Sequence, residues 1–341
     1  MNPTIVIDCG SSLTKSGIAG ESFPKYVFPT LIGKHVDEPM KTYVGEDVNV
    51  NDDQMAVIVP IKNGRVSDLF GVEQLFGDIF FNKLKVSPSE CSLLITEPSI
   101  INKSHREKMI SIAFDVFQVS SIHIGKQTSL SLYPTGLSNG LVVDCGHDIS
   151  QVVPIFNGNP IDYSILNSNF GGGILNERLD KLLSFKGLKL STKSICDLKE
   201  NLESSHKYTL PDGKTISLGG NELTNGLDDL LQPSFMGIET ATVESLIEES
   251  ISSCGEELQN ELFGNIVLSG GTTMMNGFKD HLENKLQSTV TGKTKIRIFE
   301  HPARGYLSWL GGSMLSSSSG FVKNHFVSKS QYDEYGLSIF N

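Results

Sequence analysis

The chain has 341 residues, which is enough for two lobes or one large domain with a sizeable core. It carries 28 Lys and Arg against 39 Asp and Glu, a net charge of −11, and the 20% of charged and 38% of hydrophobic residues exclude disorder as the dominant state. An acidic chain without clustered basic residues also argues against direct nucleic-acid binding. No apolar stretch approaches the ~18 residues of a membrane span, and no signal-peptide pattern precedes Asp8. We therefore expect a soluble, intracellular protein.

Five cysteines are spread through the chain without a C-x-x-C pair. This spacing indicates neither a disulfide framework nor a zinc site. Cys9 and Cys145 each lie between an Asp and a Gly, without His or Asn partners at a recognisable spacing. We interpret both as small buried thiols rather than nucleophiles.

One segment of the sequence is repeated. Residues 4–12 read T-I-V-I-D-C-G-S-S and residues 140–148 read G-L-V-V-D-C-G-H-D, which sets Asp8 and Asp144 136 residues apart. A second strand is predicted after each copy, at 15–19 and at 149–156, so each Asp-Cys-Gly segment indicates the tip of a hairpin. The repeat predicts two related lobes.

Helices and short strands alternate through the rest of both halves. In the first half, apolar spacing predicts a helix capped by Ser67, a helix over 102–117 that buries Val116, and a helix that begins at Gln127. In the second half, a helix follows the glycines at 171–173, and a strand over 295–299 is predicted near the end. This order predicts an α/β protein with two mixed sheets facing each other across a cleft. The polar segments 30–59 and 184–228, the latter with a Pro211-Asp212-Gly213 turn, are interpreted as peripheral insertions.

The two predicted hairpin tips carry a phosphate-binding pattern. An Asp at a strand end can hold the water shell of Mg²⁺ while backbone N–H groups of the tip bind phosphate. The candidate residues are Asp8 with Gly10, Ser11 and Ser12 at one tip, and Asp144 with Gly146 at the other. Lys15, on the first return strand, could reach phosphate oxygens. A single Asp-x-Gly is more often a plain turn, but two copies at equivalent strand ends favour the phosphate site.

A third pattern lies at residues 266–274, which read I-V-L-S-G-G-T-T-M. Glycines after a strand allow a flat ring close to the backbone, although the same pattern is a common turn. Lys199 and Glu200 stand side by side in a helical segment. Without further context such a pair is typical of a solvated helix face.

Taken in order, a series of segments from Ile5 to Ser338 resembles actin and the actin-related proteins. The segments are D-C-G-S-S-L-T-K-S-G-I-A-G (8–20), Y-V-G-E-D (43–47), R-E-K-M (106–109), Q-T-S-L-S-L-Y (127–133), Q-P-S-F-M-G (232–237), V-L-S-G-G-T-T-M (267–274), S-W-L-G-G-S (308–313) and S-K-S-Q-Y-D-E-Y-G (328–336). The two Asp-x-Gly tips alone would also suit sugar kinases and Hsp70-type chaperones.

The resemblance implies the duplicated mixed-sheet fold of actin, hexokinase and Hsp70, a ribonuclease-H-like fold with two lobes around a nucleotide cleft. It implies four subdomains: subdomain 1 (1–29, 60–135 and 308–341), a shortened subdomain 2 (30–59), subdomain 3 (136–170 and 239–307) and a shortened subdomain 4 (171–238).

The resemblance also implies ATP or ADP with Mg²⁺ in that cleft, with Ca²⁺ as a substitute in vitro. By residue-to-residue match, Asp8, Gln127 and Asp144 would hold the metal through water, and Gln127 would also be the water-orienting catalytic group. The matching nucleotide-binding residues are Ser11, Ser12, Leu13, Lys15, Gly146, His147, Asp148, Lys199, Glu200, Gly270, Gly271, Thr272 and Met274.

The chain departs from actin in the second phosphate loop. Actin has Asp-Ser-Gly-Asp-Gly there, followed by a His that helps to organise the attacking water, whereas this chain has D-C-G-H-D at 144–148 and Gln151. The carboxylate of Asp148, in place of a glycine, would repel the terminal phosphate. Near the adenine, Gly305 replaces a Lys and Met275 an aromatic residue. We expect retained nucleotide binding with weak or no hydrolysis, at most a slow ATPase.

The surfaces that join actin subunits also differ. The inserting loop is shortened to about 34–42, a long piece is missing between Leu202 and Tyr208, and the partner-helix groove carries the polar Ser318, Asn324 and His325. The chain also stops at Asn341 without actin's basic, Cys-containing tail, whereas the plug segment at 232–235 is kept. These differences argue against a homofilament.

The expected function is therefore a structural subunit of a multi-protein assembly, cytoplasmic and cytoskeletal, for example at a filament end, with other actin-family proteins or complex subunits as partners. One alternative is a divergent conventional actin that polymerises and hydrolyses ATP. A second is a nuclear subunit of a chromatin-remodelling complex. A small-molecule kinase of the same fold is a remote third.

Overall fold

A computed structural model describes residues 3–50, 52–100, 102–201, 207–209, 213, 215–217, 231–290 and 294–340. The chain divides into two compact units, Met1–Gly136 with Tyr306–Asn341, and Leu137–Gly305. Each unit has a sheet of parallel and antiparallel strands with helices, which confirms the predicted α/β fold class with two mixed sheets. The finer division into four subdomains stays a prediction.

The first unit is built on a six-stranded sheet with Thr4–Cys9 near its centre. This strand pairs in parallel with Ser92–Glu97 and antiparallel with Leu13–Ile18. All of its residues are buried, as expected of a strand covered on both faces. In spatial order the sheet contains Val327–Ser328, Ser121–Lys126, Ser92–Glu97, Thr4–Cys9, Leu13–Ile18 and Tyr26–Pro29.

Helices and smaller sheets complete this unit. The α-helices are Leu69–Gly77, Lys103–Ser111, Gln127–Leu132, Leu307–Ser316, Ser319–His325 and Lys329–Tyr335. Asp78–Leu84 and Ile112–Val116 are π-helical, and Gly45–Asp47, Pro88–Glu90, Tyr133–Thr135 and Gly336–Phe340 are 3₁₀ helices. Ile32–His35, Glu38–Val44 and Met55–Ile58 form a three-stranded sheet within the predicted insertion 30–59, and Ile61–Lys62 pairs with Arg65–Val66.

Two sequence predictions in this unit were wrong in detail. The cap of the helix Leu69–Gly77 is Asp68 rather than Ser67, because the Asp68 side chain accepts a hydrogen bond from the Gly71 N–H at 2.6 Å. Val116 is 51% exposed, whereas Phe114 is fully buried. The π-helical segment Ile112–Val116 has more residues per turn than an α-helix, so the 3.6-residue period fails there.

The second unit has a six-stranded sheet around Gly140–Cys145. This strand pairs antiparallel with Ser150–Phe156 and in parallel with Ile266–Ser269. The sheet runs Asn159–Pro160, Ser150–Phe156, Gly140–Cys145, Ile266–Ser269 and Ile298–Phe299, with Leu166–Ser168 also on Ser150–Phe156. The strand predicted over 295–299 is thus shorter than expected.

The second unit also has a small hairpin, Lys207–Thr209 with Thr215–Ser217. Within the described residues its α-helices are Gly172–Phe185, Thr192–Asn201, Val243–Ser252, Glu256–Gly264 and Phe278–Thr289, with 3₁₀ helices at Asp162–Ser164, Pro233–Met236 and Gly271–Met274. A further 3₁₀ helix, Arg304–Tyr306, lies at the sequence boundary of the two units. Pro211 and Asp212 of the predicted turn lie outside the described residues.

Two closely packed helices, Leu307–Ser316 and Gln127–Leu132, lie beside the central strand of the first unit. The Trp309 indole is fully buried and donates to the Val6 carbonyl at 3.0 Å. A Cβ on Gly311 would lie 1.8 Å from the carbonyl oxygen of Leu130, so only glycine lets Leu307–Ser316 approach Gln127–Leu132 this closely. This packing holds Ser308 and Gln127 at the end of the strand that carries Asp8. Within the described ranges, no helix is both long and apolar enough to span a bilayer.

Candidate functional site

A buried carboxylate is the centre of the candidate site in the first unit. Asp8, 1% exposed, is the next-to-last residue of the central strand Thr4–Cys9. Its Oδ1 accepts from Thr96 Oγ1 at 2.5 Å and from Gln127 Nε2 at 3.0 Å. Its Oδ2 accepts from Lys15 Nζ at 3.0 Å and from Ser308 Oγ at 3.1 Å. The structure therefore brings the predicted residues Asp8, Lys15 and Gln127 together.

These contacts keep Asp8 ionised. Burial raises the pKa of Asp8, but the charge of Lys15 and the hydrogen bonds from Thr96, Lys15 and Gln127 outweigh it and hold that pKa below its ordinary value. The four donors together occupy about the four acceptor positions of a carboxylate. Lys15, whose side chain is 17% exposed, donates from a long, flexible side chain. Its ammonium group can therefore exchange Asp8 for another acceptor.

Sequence reasoning missed two of these donors, Thr96 and Ser308. Thr96 lies on the strand parallel to Thr4–Cys9, one residue before that strand ends. Ser308 belongs to the S-W-L-G-G-S segment, 300 residues beyond Asp8. The rule that carboxyl ends of parallel strands meet at one sheet edge could have suggested Thr96, but no local signal connects Ser308 with Asp8.

The first hairpin tip lies directly after Asp8. The Gly10 N–H donates to the Leu13 carbonyl at 3.1 Å, and a Cβ on Gly10 would lie 2.9 Å from that oxygen. Ser11 and Ser12 are half-buried and Leu13 is exposed on the tip. Thr30 secures the tip from the side, since its N–H donates to the Ser12 carbonyl at 2.8 Å. Such a tight turn of small residues leaves room for a phosphate against the backbone.

The second tip has the same turn. The Gly146 N–H donates to the Ile149 carbonyl at 2.9 Å, and Asp144 stands in register with Gln151 as Asp8 does with Lys15. The Gly146 carbonyl accepts from the Gly172 N–H at 2.9 Å and from Thr272 Oγ1 at 2.7 Å. These bonds hold the tip against the start of Gly172–Phe185 and the turn at Gly271–Met274.

His147 and Asp148 complete this tip. His147 Nε2 lies 3.9 Å from Asp148 Oδ1, and the His147 carbonyl accepts from the Gly173 N–H at 2.7 Å. A Cβ on Gly173 would lie 2.9 Å from His147 Nε2, so the glycine makes room for the imidazole. Burial lowers the pKa of His147, with Asp148 opposing that shift. The ring is therefore neutral at pH 7.

The turn after the strand Ile266–Ser269 depends on Gly270. This residue has φ of +88°, and a Cβ there would lie 2.3 Å from the Cys145 carbonyl oxygen. Its N–H donates to the Arg304 carbonyl at 2.9 Å. The adjacent Gly271 is exposed, and a Cβ there would meet no atom of the described chain within 4 Å. A flat ring can therefore approach the backbone at Gly271.

Lys199 is not part of a solvated surface pair. It is 6% exposed, and its Nζ donates to the Gly172 carbonyl at 3.3 Å. Burial lowers the pKa of Lys199. The neighbouring Glu200 is exposed, and its carbonyl accepts from the Asn276 N–H at 3.3 Å. Both residues thus lie beside segments of the predicted nucleotide site. Met274 also lies there, close to Gly305, where a Cβ would be 3.6 Å from Met274 Cγ.

The predicted residues therefore form one cluster in each unit. The first unit groups Asp8, Lys15 and Gln127 beside the tip at 11–13. The second unit groups the tip at 144–148, the turn at 270–274 and Lys199. Ionised carboxylates suit a hydrated Mg²⁺, and tight glycine turns with a nearby Lys suit phosphate. The residues fit the implied ligands, and their binding roles stay predictions.

The family model for Actin matches residues 1–205 and 195–341, which together cover the whole chain. The chain therefore belongs to the actin family. Proteins of this family generally bind a nucleotide and a divalent cation, in keeping with the chemistry of the two clusters.

Proposed function

We propose that this actin-family protein binds ATP with Mg²⁺ and serves as a structural subunit of a multi-protein assembly. The observation that carries the proposal is the pair of matching hairpin tips, each preceded by a strand-end Asp and closed by the same glycine hydrogen bond. The resemblance to actin assigns Lys15 and the tip amides to the phosphates of ATP, and Gly271 to its adenosine. Bound Mg²⁺ would neutralise phosphate charge, while Asp8, Gln127 and Asp144 hold its water ligands.

Weak or absent hydrolysis is part of the proposal. Gln151, in register with Asp144, has no group that takes a proton near neutral pH, and the Asp148 carboxylate would repel an attacking hydroxide and the terminal phosphate. The Gln127 amide nitrogen already donates to Asp8 Oδ1. Gln127 would therefore orient a water through its carbonyl oxygen, which supports at most a slow ATPase.

We also propose that the altered surfaces of the chain disfavour a homofilament. Only Val36 and Asp37 join the strands Ile32–His35 and Glu38–Val44, so the loop that inserts between actin subunits is short. The proposed deletion in subdomain 4, between Leu202 and Tyr208, falls at residues 202–206, which lie outside the described residues. Ser318 caps the helix Ser319–His325 through the Phe321 N–H, and Asn324 and His325 are exposed polar residues of the partner groove.

A cytoplasmic, cytoskeletal assembly such as a filament end is the proposed setting, with other actin-family or complex subunits as partners. The alternative function, a nuclear subunit of a chromatin-remodelling complex, would use the same residues and would differ from this proposal only in its partners. The polymerising ATPase differs in behaviour, because it would form filaments alone.

A tagged pull-down from native extract, identified by mass spectrometry and paired with sedimentation of the purified protein in Mg-ATP, tests the proposal. A monomer that retains a fixed set of partners supports the subunit function, and the partners identify the compartment. Filaments that pellet without partners and release phosphate would contradict it.

A further inference from the structure

We infer that Thr272 is a positioning residue that couples the adenosine-binding turn, residues 270–274, to the phosphate-binding tip, residues 144–148. The inference rests on the proposed function. Thr272 is 6% exposed, and its hydroxyl donates to the Gly146 carbonyl at 2.7 Å. A buried hydroxyl committed to a backbone oxygen is poorly placed to contact a ligand directly. The residue therefore acts through the tip rather than on the nucleotide itself.

The residues around Thr272 pack closely on this contact. The Gly146 carbonyl also accepts from the Gly172 N–H at 2.9 Å. A Cβ on Gly172 would lie 2.6 Å from Thr272 Oγ1 and 2.8 Å from Lys199 Nζ, so both side chains close directly over that glycine. Lys199 Nζ in turn donates to the Gly172 carbonyl. The turn, the tip and the start of the helix Gly172–Phe185 are thus joined through the carbonyl groups of Gly146 and Gly172.

The next residue, Thr273, provides a comparison within the same turn. It is fully buried, and its hydroxyl donates to the Gly270 carbonyl at 2.7 Å. That bond stays inside the turn, whereas the Thr272 bond leaves the turn and reaches the tip. Two adjacent threonines therefore make bonds of similar length with different consequences: Thr273 shapes the turn, and Thr272 connects it to residues 144–148.

This connection predicts positive coupling between the two halves of the ligand. When adenosine orders the turn, Thr272 holds the Gly146 carbonyl in place, so a polyphosphate then binds a tip that is already ordered. Without the hydroxyl, each half of the ligand must order its own segment. By linkage, polyphosphate must raise the affinity for adenosine by the same factor.

Calorimetric titration with Mg-tripolyphosphate, with and without saturating adenosine, measures this coupling directly. The variants are Thr272→Val, Thr272→Ser and Thr273→Val, each compared with the unchanged protein. Thr272→Val leaves the Gly146 carbonyl its bond from Gly172, so no buried acceptor is stranded. We expect adenosine to strengthen tripolyphosphate binding in the unchanged protein, and Thr272→Val to reduce this enhancement by about fivefold, the equivalent of one hydrogen bond.

The controls separate coupling from general loss of structure. Thr272→Ser keeps the donor and should restore the enhancement. Thr273→Val should lower the melting temperature but keep the enhancement. Full enhancement in Thr272→Val, or an equal loss in Thr273→Val, would overturn the inference. If the unchanged protein binds ATP but shows no enhancement, the inference alone fails; if it binds neither ATP nor the two fragments, the proposed function fails and the inference with it.

Discussion

Gly10 and Gly146 make the same hydrogen bond in two hairpin tips that are 136 residues apart in the sequence: each N–H donates to the carbonyl three residues further on, at 3.1 Å in the first tip and 2.9 Å in the second. The repeat seen in the sequence is therefore a repeat of backbone geometry. The tips differ in the residue opposite the Asp, since Lys15 faces Asp8 and Gln151 faces Asp144. The return strand of the first tip therefore carries a cationic side chain opposite the Asp, whereas that of the second tip carries a neutral amide.

Replacing Asp8 tests the centre of the first cluster. Asp8→Asn removes a charge that accepts four hydrogen bonds. We expect it to lower the free energy of unfolding by about 1.5–3 kcal/mol, the range for hydrogen bonds to a charged group, and to abolish tight Mg-ATP binding. Urea unfolding and a nucleotide titration measure the two effects. The exposed Asp53→Asn is the control, and an Asp8→Asn variant that behaves like it would refute the assignment.

The adjacent glycines of the third segment should respond differently to alanine. Gly270→Ala forces a side chain onto φ of +88° and into the Cys145 carbonyl, so we expect a loss of about 2 kcal/mol or more in stability. Gly271→Ala meets no described atom within 4 Å and should leave the melting temperature of the ligand-free protein unchanged. Because its methyl group would occupy the proposed adenosine position, ATP affinity should fall several-fold. Unchanged ATP affinity in Gly271→Ala would show that the nucleotide does not bind at this turn.

Acid should destabilise the first unit through His105. Burial lowers the pKa of His105, with Glu97 opposing that shift, and its Nδ1 accepts from the Val66 N–H at 3.2 Å. Because the folded pKa lies below the unfolded value of 6.5, the unfolded chain binds the proton first and stability falls as pH drops below about 6.5. His123 and His147 have lowered pKa values too and act in the same direction.

Thermal melts at pH 7.5 and pH 5 measure this effect. His105→Asn keeps an acceptor for the Val66 N–H but cannot titrate, so its melting temperature should fall less between the two pH values. His281→Asn, on the helix Phe278–Thr289, is the matched control. An equal pH dependence in His105→Asn and the unchanged protein would show that His105 is not responsible.

The cysteines should differ sharply in reactivity. Burial raises the pKa of Cys9 and of Cys145 to about 12, so neither forms much thiolate at pH 7.5. Cys196 is half-buried and should react first with a maleimide in the native protein. Peptide mapping after brief labelling checks the order, with Cys196→Ser as the control. Fast labelling of Cys9 or Cys145 in the folded chain would contradict the buried-thiol interpretation.

Short-range patterns predicted the elements well, because each depends on neighbours in the sequence. The two tips, the helix that begins at Gln127 and the strand before Gly270 are all present as expected. The errors arose where local rules compete or fail. Ser67 and Asp68 are both capping residues, and only the backbone decides between them, while the π-helical turn at Ile112–Val116 shifts the period that placed Val116 inside.

The chemistry of the site was predictable only in part. Asp8 and Lys15 follow from one motif and Gln127 from the resemblance to actin, but Thr96 and Ser308 reach Asp8 through sheet pairing and helix packing over distances that no local spacing encodes. In the same way, the resemblance to actin implies that Thr272 binds the nucleotide, but it does not indicate that the Thr272 hydroxyl donates to the Gly146 carbonyl. The partner of a polar side chain depends on tertiary packing and cannot be derived from the motif alone.

Equilibrium titration of the purified, nucleotide-free chain with ATP in the presence of Mg²⁺, followed by analysis of the recovered nucleotide, tests the central claim most directly. The account predicts saturable binding of one ATP per chain, weakened at least tenfold in Asp8→Asn, with the nucleotide recovered mostly as ATP. Absence of saturable binding, or equal binding by Asp8→Asn, would contradict it.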